Sequence, residues 1–191
     1  MVLLSGWGEE EAQKCEQIVQ NSGADWTILR ASWFSQNFSE GFLRELILSG
    51  QVALPAGSVK EPFIDAEDIA DVAFAALTED GHSGQLYELT GPRLMTFTES
   101  VEEIANVTNR KVQYKQVSPE VFASAMTVQG VPSDAVWLMN YLFASVLDGR
   151  NANLADGIQR ALGREPRDFN EYVQKAAAAG AWQEGSINHG R

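Results

Sequence analysis

The chain has one cysteine, Cys15, and two histidines, His82 and His189, among 191 residues. A single thiol excludes an internal disulfide. Neither histidine has an Asp, Cys or His at ligand spacing, so no metal centre is expected and a Ser/His/Asp triad has almost nothing to be built from. Positive charge is also scarce: 14 Lys and Arg stand against 26 Asp and Glu, a net charge of −12. Nucleic-acid affinity rests on cations that neutralise phosphates, so free nucleic acid and anionic membrane are disfavoured as partners. No apolar run approaches the roughly 20 residues that span a bilayer, and Met1 is not followed by a secretory signal pattern. The expectation is a soluble chain in a reducing compartment, most simply the cytoplasm.

What is present is an ordinary globular composition, 45% apolar and 21% charged, long enough for one domain or one and a half. Val2-Leu3-Leu4 reads as a buried strand, Glu9 to Asn21 as a helix ended by Gly23, and Asp25 to Arg30 as a second strand. A strand-helix-strand unit implies parallel strands, which are normally covered by helices on both faces. On the first helix, Ala12, Cys15, Ile18 and Val19 form the apolar stripe, and three glutamates stand at its positive end. A helix over 39–49 stops at Gly50. Asp65 and Asp68 resemble a capping pair for a helix that buries Ile69, Val72, Ala73, Ala76 and Leu77. Gln85 to Leu89 is a third strand. Thr96-x-x-Glu99 opens a helix to about Thr108, Val112 to Val117 is a short strand, and Ser118-Pro119 caps another helix. From Ser133 to Leu147 a longer helix is expected to bury Val136, Trp137, Asn140, Phe143 and Leu147. Leu154 to Leu162 and Asp168 to Ala179 add two more helices. The layout predicts an α/β fold, a doubly wound parallel sheet followed by a mostly helical substrate or lid region.

The candidate chemistry is sparse. Gly6-x-Gly8-x-x-Glu11 sits where a dinucleotide fingerprint would, but Glu11 replaces its third glycine. Three successive carboxylates there would also oppose a pyrophosphate, so a tight turn with an acid-stabilised helix start is the better reading. Cys15 on its apolar stripe reads as a small hydrophobe rather than a nucleophile. In open α/β sheets, ligands sit beyond the carboxyl ends of parallel strands, which singles out Ser5 and Gly6 and the loop Ala31 to Phe38. Its amides, hydroxyls and aromatics could hold a flat, partly polar ring, or Trp33, Phe34 and Phe38 could serve as core; the residues leave both open. Residues 119–147 could be taken for a helix-turn-helix, but Ser133 to Asn140 offers neither Arg nor Lys to DNA.

The ordered series Val2-Leu3-Leu4-Ser5-Gly6, Ser22-Gly23, Asp25 to Arg30, Trp33-Phe34, Asn37-Phe38, Phe63-Ile64-Asp65, Asp68-Ile69-Ala70, Tyr87 to Pro92 and Leu162-Gly163-Arg164-x-Pro166-Arg167-x-Phe169 resembles the second half of NmrA-like atypical short-chain dehydrogenase/reductases. The resemblance implies a partial Rossmann-type fold, NAD(P) as cofactor, and relatives that reduce quinones, azo compounds or imines or act as redox-sensing regulators without catalysis. It assigns Ser5, Gly6, Trp33 and Phe34 to the cofactor environment and Gln36 and Asn37 to the substrate. It also exposes two departures. The family's glycine-rich phosphate loop belongs to earlier strands that this sequence does not contain, about a hundred residues at roughly 30 per βαβ unit. Catalytic relatives often carry Tyr, His or Lys at the position of Ala12, whose methyl donates no proton, leaving Ser5 a weak candidate acid.

On this reading residues 1–92 are the C-terminal part of an NAD(P)-binding domain, 93–183 a smaller helical substrate-side region, and 184–191 a disordered tail. Alone, the chain is expected to bind NADPH weakly and to be weak or inactive as an oxidoreductase. An open sheet edge is expected to favour self-association or pairing with a complementary N-terminal segment.

Overall fold

The computed structural model describes residues 1–183; the tail expected to be disordered, 184–191, lies outside the described residues. In chain order the elements are β1 (Val2–Gly6), α1 (Glu10–Gln20), β2 (Thr27–Ala31), α2 (Asn37–Glu40), α3 (Phe42–Leu48), β3 (Gln51–Leu54) and β4 (Lys60–Glu61). There follow α4 (Ala66–Thr78), β5 (Gln85–Leu89), β6 (Met95–Thr96), α5 (Phe97–Thr108), β7 (Gln113–Gln116), α6 (Pro119–Val128) and α7 (Ser133–Tyr141). A π-helical turn (Leu142–Val146), α8 (Gly157–Leu162) and α9 (Phe169–Ala178) complete it. Two compact units interleave in sequence. The first is Met1–Ser35, Glu61–Leu94 and Arg150–Phe169; the second is Gln36–Lys60, Met95–Gly149 and the chain from Asn170 onward.

The first unit is α/β. Its sheet runs β1-β2-β5, all parallel, in a register that aligns Leu4 with Leu29 and Tyr87, and Ser5 with Arg30 and Glu88. Successive side chains of a strand point to opposite faces, so these two rows lie on opposite sides of the sheet. The Leu29 side packs Ile69 and Val72 of α4 and Ile158 of α8 against Leu29, Ala31, Ile64, Tyr87 and Leu89. Each such fully buried aliphatic side chain contributes about 1.5–3 kcal/mol of transfer free energy. The other side receives α1 through Glu16. Helices therefore cover both faces, as the strand-helix-strand pattern predicts. At Gly157 an added Cβ would lie 2.1 Å from Glu88 O, so only glycine lets α8 come this close to β5.

The expected open sheet edge falls at β1, which among the described residues pairs with β2 alone. The expected burial pattern changes at three places. Leu4 of the strand read as buried is 50% exposed. On α1, Cys15 and Ile18 face solvent and the buried residue is Glu16, because the sheet face opposite the helix presents Arg30. Leu77 on α4 is likewise exposed.

Asp65 caps α4 as expected, accepting from Glu67 N at 2.9 Å. Asp68 does not complete a capping pair. It is fully buried, accepts from Arg167 N at 2.7 Å and is ion-paired with Arg164 at 2.7 Å and with the Arg167 guanidinium. The same arginines reach Asp71 at 2.6 and 2.9 Å. The Leu162-to-Phe169 motif thus clamps the end of α8 to α4, and Arg93 adds a bidentate pair with Asp168 at 2.7 and 2.9 Å.

The second unit contains the parallel pair β3-β7, which aligns Val52 with Tyr114. The sequence shows β7 but not β3, a four-residue strand directly after Gly50. Around the pair pack Phe38, Leu43, Ile47, Phe97, Val101, Ile104, Phe122 and Phe143, all buried. Thr96 and Glu99 form the expected capping box, with Thr96 N to Glu99 Oε2 at 2.7 Å and Glu99 N to Thr96 Oγ1 at 3.1 Å. Ser118 caps α6, accepting from Val121 N at 3.3 Å. The predicted single helix over 133–147 is instead α7 followed by the π-helical turn. Phe143 and Leu147 are buried, but Trp137 is 67% exposed. On a helix Trp137 lies about 120° from Phe143, so the two cannot share a buried stripe.

The clamp yields a stability prediction. Replacing buried Asp68 by Asn leaves two guanidinia with only the partly exposed Asp71 as a shared carboxylate and is expected to lower the unfolding free energy by about 2 kcal/mol. Arg164→Ala, which removes one partly exposed partner, should cost under about 1 kcal/mol. Urea titration monitored by circular dichroism measures both, and equal losses would show that Asp68 is not the centre of the clamp.

Candidate functional site

The residues singled out beyond the strand ends fall in both units. Ser5, Gly6, Trp33 and Phe34 belong to the first, Gln36 and Asn37 to the second, where Asn37 opens α2 and Gln36 O accepts from Ser39 N and Glu40 N. In the first unit, Ser5 and Gly6 end β1 beside the loop that leaves β2.

That loop is pinned by backbone. Trp7 N donates to Ala31 O and Ser32 N to Leu89 O, both at 3.0 Å, so strand pairing runs on past the sheet. Ser32 Oγ donates to Pro62 O at 2.6 Å. Ile64 N donates to Trp33 O at 2.9 Å and Ser35 N to Ile64 O at 2.7 Å, which sets Phe34 opposite Ile64 as a parallel bridge. Between the two readings of these aromatics the structure divides them. Phe34 packs against the first unit's core and Phe38 is wholly buried in the second, while Trp33 is partly exposed.

The Gly6-Trp7-Gly8 turn is not a phosphate cradle. Gly8 adopts φ +79°, and a Cβ on it would meet Asn151 Oδ1 at 2.2 Å. Asn151 is buried and donates from Nδ2 to Trp7 O at 3.2 Å. The space over Gly8 is thus filled by this chain, and Glu9 Oε1 lies 3.2 Å from where a Gly6 Cβ would sit. An anion would face a carboxylate where it needs open N–H groups. The pyrophosphate of a dinucleotide does not fit this turn.

Under the sheet lies the electrostatic centre of the region. Ser5, Arg30 and Glu88 are in register across three strands, and Glu16 reaches them from α1. Ser5 Oγ donates to Glu16 Oε1 at 2.6 Å, Arg30 Nε to the same oxygen at 3.0 Å, and Arg30 Nη1 to Glu88 Oε1 at 3.0 Å. Burial pushes the Glu16 carboxyl upward, but the hydrogen bonds from Arg30 and Ser5 and the Arg30 charge outweigh it and hold Glu16 below its usual range. The Ser5 proton is therefore committed to a carboxylate, which weakens Ser5 as an acid toward a substrate. Ala12 lies one turn before Glu16 on α1. Sequence reasoning missed Arg30; the available signal was a single cation ending the mostly apolar run Trp26 to Leu29.

A carboxylate whose native pKa is depressed stabilises the fold above its unfolded pKa of about 4.5 and loses that contribution as pH falls through the native value. Unfolding free energy should therefore decline below about pH 4.5, and Glu16→Gln should be less stable than wild type at pH 7 with the difference shrinking in acid. Denaturant melts at pH 7 and pH 3 test this; a pH-independent difference would remove Glu16 as the titrating group.

The NmrA-like family matches residues 10–173. The chain is 34% identical over 164 residues to an NAD(P)H azoreductase of Xenophilus azovorans, covering 86% of this chain and 57% of that protein. It is 33% identical over 159 residues to an uncharacterized oxidoreductase of Bacillus subtilis, covering 83% and 55%. The NADPH-dependent quinone oxidoreductase of Escherichia coli, solved with NADPH, superposes with a TM-score of 0.80 at 23% identity over 91% of this chain and 64% of that one. The chain spans about half the length of the curated relatives it matches. The strand-end loop, the buried Glu16–Arg30 pair and the Asp68 clamp all lie within the matched region, and the chain belongs to the NmrA-like family, with a Rossmann-type α/β fold.

Proposed function

We propose that the chain is the carboxyl-side portion of an NAD(P)H-dependent reductase acting on a small organic substrate such as a quinone, azo compound or imine. The observation that carries the reading is the pinned loop after β2, which brings Trp33 and Phe34 to the strand ends beside Ser5 and Gly6, where α/β sheets bind ligands. On this reading Ser5, Gly6, Trp33 and Phe34 flank the nicotinamide, and Gln36 and Asn37 contact substrate. Apart from Gln36 and Asn37, residues 1–92 serve the cofactor, and 93–183 serve the substrate. Bound NAD(P)H supplies hydride; the chain supplies position and electrostatics. With Ser5 bonded to Glu16 and a methyl at Ala12, the accompanying proton comes from substrate or solvent.

The pyrophosphate grip comes from polypeptide other than these 191 residues, and β1 is its docking edge. Leu4 on β1 is exposed, as are Phe74 and Leu77 on α4, the helix that packs on β1 and β2. The far edge of the sheet is covered, with Arg160 Nη1 donating to Leu86 O at 3.4 Å. A bare parallel edge flanked by apolar side chains recruits another strand, either from a complementary N-terminal segment or from a second copy. A second reading, a redox-sensing or protein-interaction module without catalysis, is favoured by Ala12 and by the excess of acidic residues, a net charge of −12.

Calorimetric titration of NADPH decides between these. The chain alone is expected to show no micromolar binding. Mixed with a separately produced N-terminal half of an NmrA-like reductase, it should form a 1:1 complex that binds NADPH and reduces a quinone. Micromolar binding by the chain alone would overturn the external-grip proposal, and a complex that binds NADPH without reducing quinone, azo or imine substrates would favour the sensing module.

A further inference from the structure

The chain after α9 turns back into the second unit. Gly180 takes φ +79°, and Gly180 N donates to Ala177 O and Ala181 N to Ala176 O, both at 3.0 Å, the paired bonds of a Schellman turn. Glycine adopts that conformation at no steric cost, and the turn sends Trp182 inward, where it is 3% exposed. Two arginines then fasten residues 181–183 by their carbonyls. Arg44 of α3 donates from Nε to Ala181 O at 2.7 Å and from Nη2 to Gln183 O at 3.4 Å. Arg110, just past α5, donates from Nη1 to Trp182 O at 2.9 Å.

The indole so placed holds α2. Trp182 Nε1 donates to Phe38 O at 2.9 Å, and the Tyr172 ring meets the indole edge to face with centroids 6.5 Å apart. α2 needs such support. It has four residues, far fewer than a helix requires to persist by itself, and it is cut at Gly41, whose extended backbone (φ −106°, ψ −161°) starts α3 afresh. The last carbonyls of a helix have no partner within it, and the indole N–H serves one of them. What α2 fixes is the candidate substrate side. Asn37 is its first residue, and Ser39 N and Glu40 N both donate to Gln36 O, at 3.0 and 2.9 Å. The single donor of the indole is thus directed at the helix that carries Gln36 and Asn37.

We propose that Trp182 is a positioning residue for the substrate: its indole N–H locks α2, and α2 holds Gln36 and Asn37 in the arrangement that meets the substrate. Trp182 itself does not touch the substrate; it acts through Phe38 O, 144 positions away along the chain. Arg44 and Arg110 belong to the same latch, because they fix the segment that carries the indole. The substrate role rests on the reductase reading above; the hold on α2 does not, and is measured on the chain without cofactor.

The test is amide hydrogen exchange of the 191-residue chain, read residue by residue by NMR, in wild type and in Trp182→Phe, which keeps a ring and removes the donor. The Ser39 and Glu40 amides, whose bonds close α2, should exchange about tenfold faster in the variant, while those of Val101 and Ile104 in α5 change less than about twofold. Arg110→Ala, which releases the Trp182 carbonyl, should speed the same two amides about threefold. Circular dichroism melts confirm that each variant is folded, and Arg110→Ala keeps the test decisive if Trp182→Phe is not. Unchanged exchange at Ser39 and Glu40, or an equal acceleration in α5, would overturn the proposal, since Trp182 would then be ordinary core. In the NADPH-binding complex with the N-terminal half, Trp182→Phe should raise KM for a quinone about tenfold and leave KM for NADPH within about twofold. Equal changes in the two constants would overturn the substrate role. If no complex reduces quinone at all, the reductase reading fails while the exchange result still decides whether Trp182 holds α2.

Discussion

Arg30 in the middle of the first unit's sheet is the constraint on which the rest of that unit depends. A guanidinium on a central parallel strand is tolerable only if its charge and donors are met, and the partners come from three elements: Glu16 of α1, Glu88 of β5 and, through Glu16, Ser5 of β1. Removing any one partner leaves charge in a low-dielectric setting, so the helix, both flanking strands and their register are tied together. The pair also fixes which face of α1 points inward. That is why Cys15 and Ile18 are exposed and a glutamate is buried, against the simple apolar pattern.

The same network bears on chemistry. A serine at the carboxyl end of a parallel strand is well placed for a ligand, yet its hydroxyl already serves Glu16. The nearby glycine turn is closed by Asn151 and fronted by Glu9. The strand ends therefore offer a shaped, pinned loop with little acid-base capacity and no anion cradle. This suits a region that positions groups around a cofactor held from elsewhere.

Much of the fold is legible in sequence because its signals are local. The Thr96-x-x-Glu99 capping box, the Ser118-Pro119 helix start, the glycine after α1 and the apolar run of β5 each act within a few residues, and each appears where expected. The misreadings share a cause as well. Asp68 fits a capping pattern, but its partners Arg164 and Arg167 lie about a hundred residues away. Trp137 fits an apolar stripe only if angular position on the helix is ignored, and β3 is too short to stand out from the helix before it.

By itself the sequence determined the α/β class, most of the helix starts and stops, the family and the candidate strand-end residues, since these follow from short-range periodicity, capping chemistry and ordered motifs. Tertiary structure alone decided what the charged residues do. Only packing shows that Glu16 and Asp68 are buried and ion-paired, that Asn151 fills the space over Gly8, and that Trp137 stays in solvent. The physical reason is range: a cap or a turn is satisfied within one helical turn of chain, whereas a buried charge is satisfied by whichever distant residue the fold brings within hydrogen-bond distance.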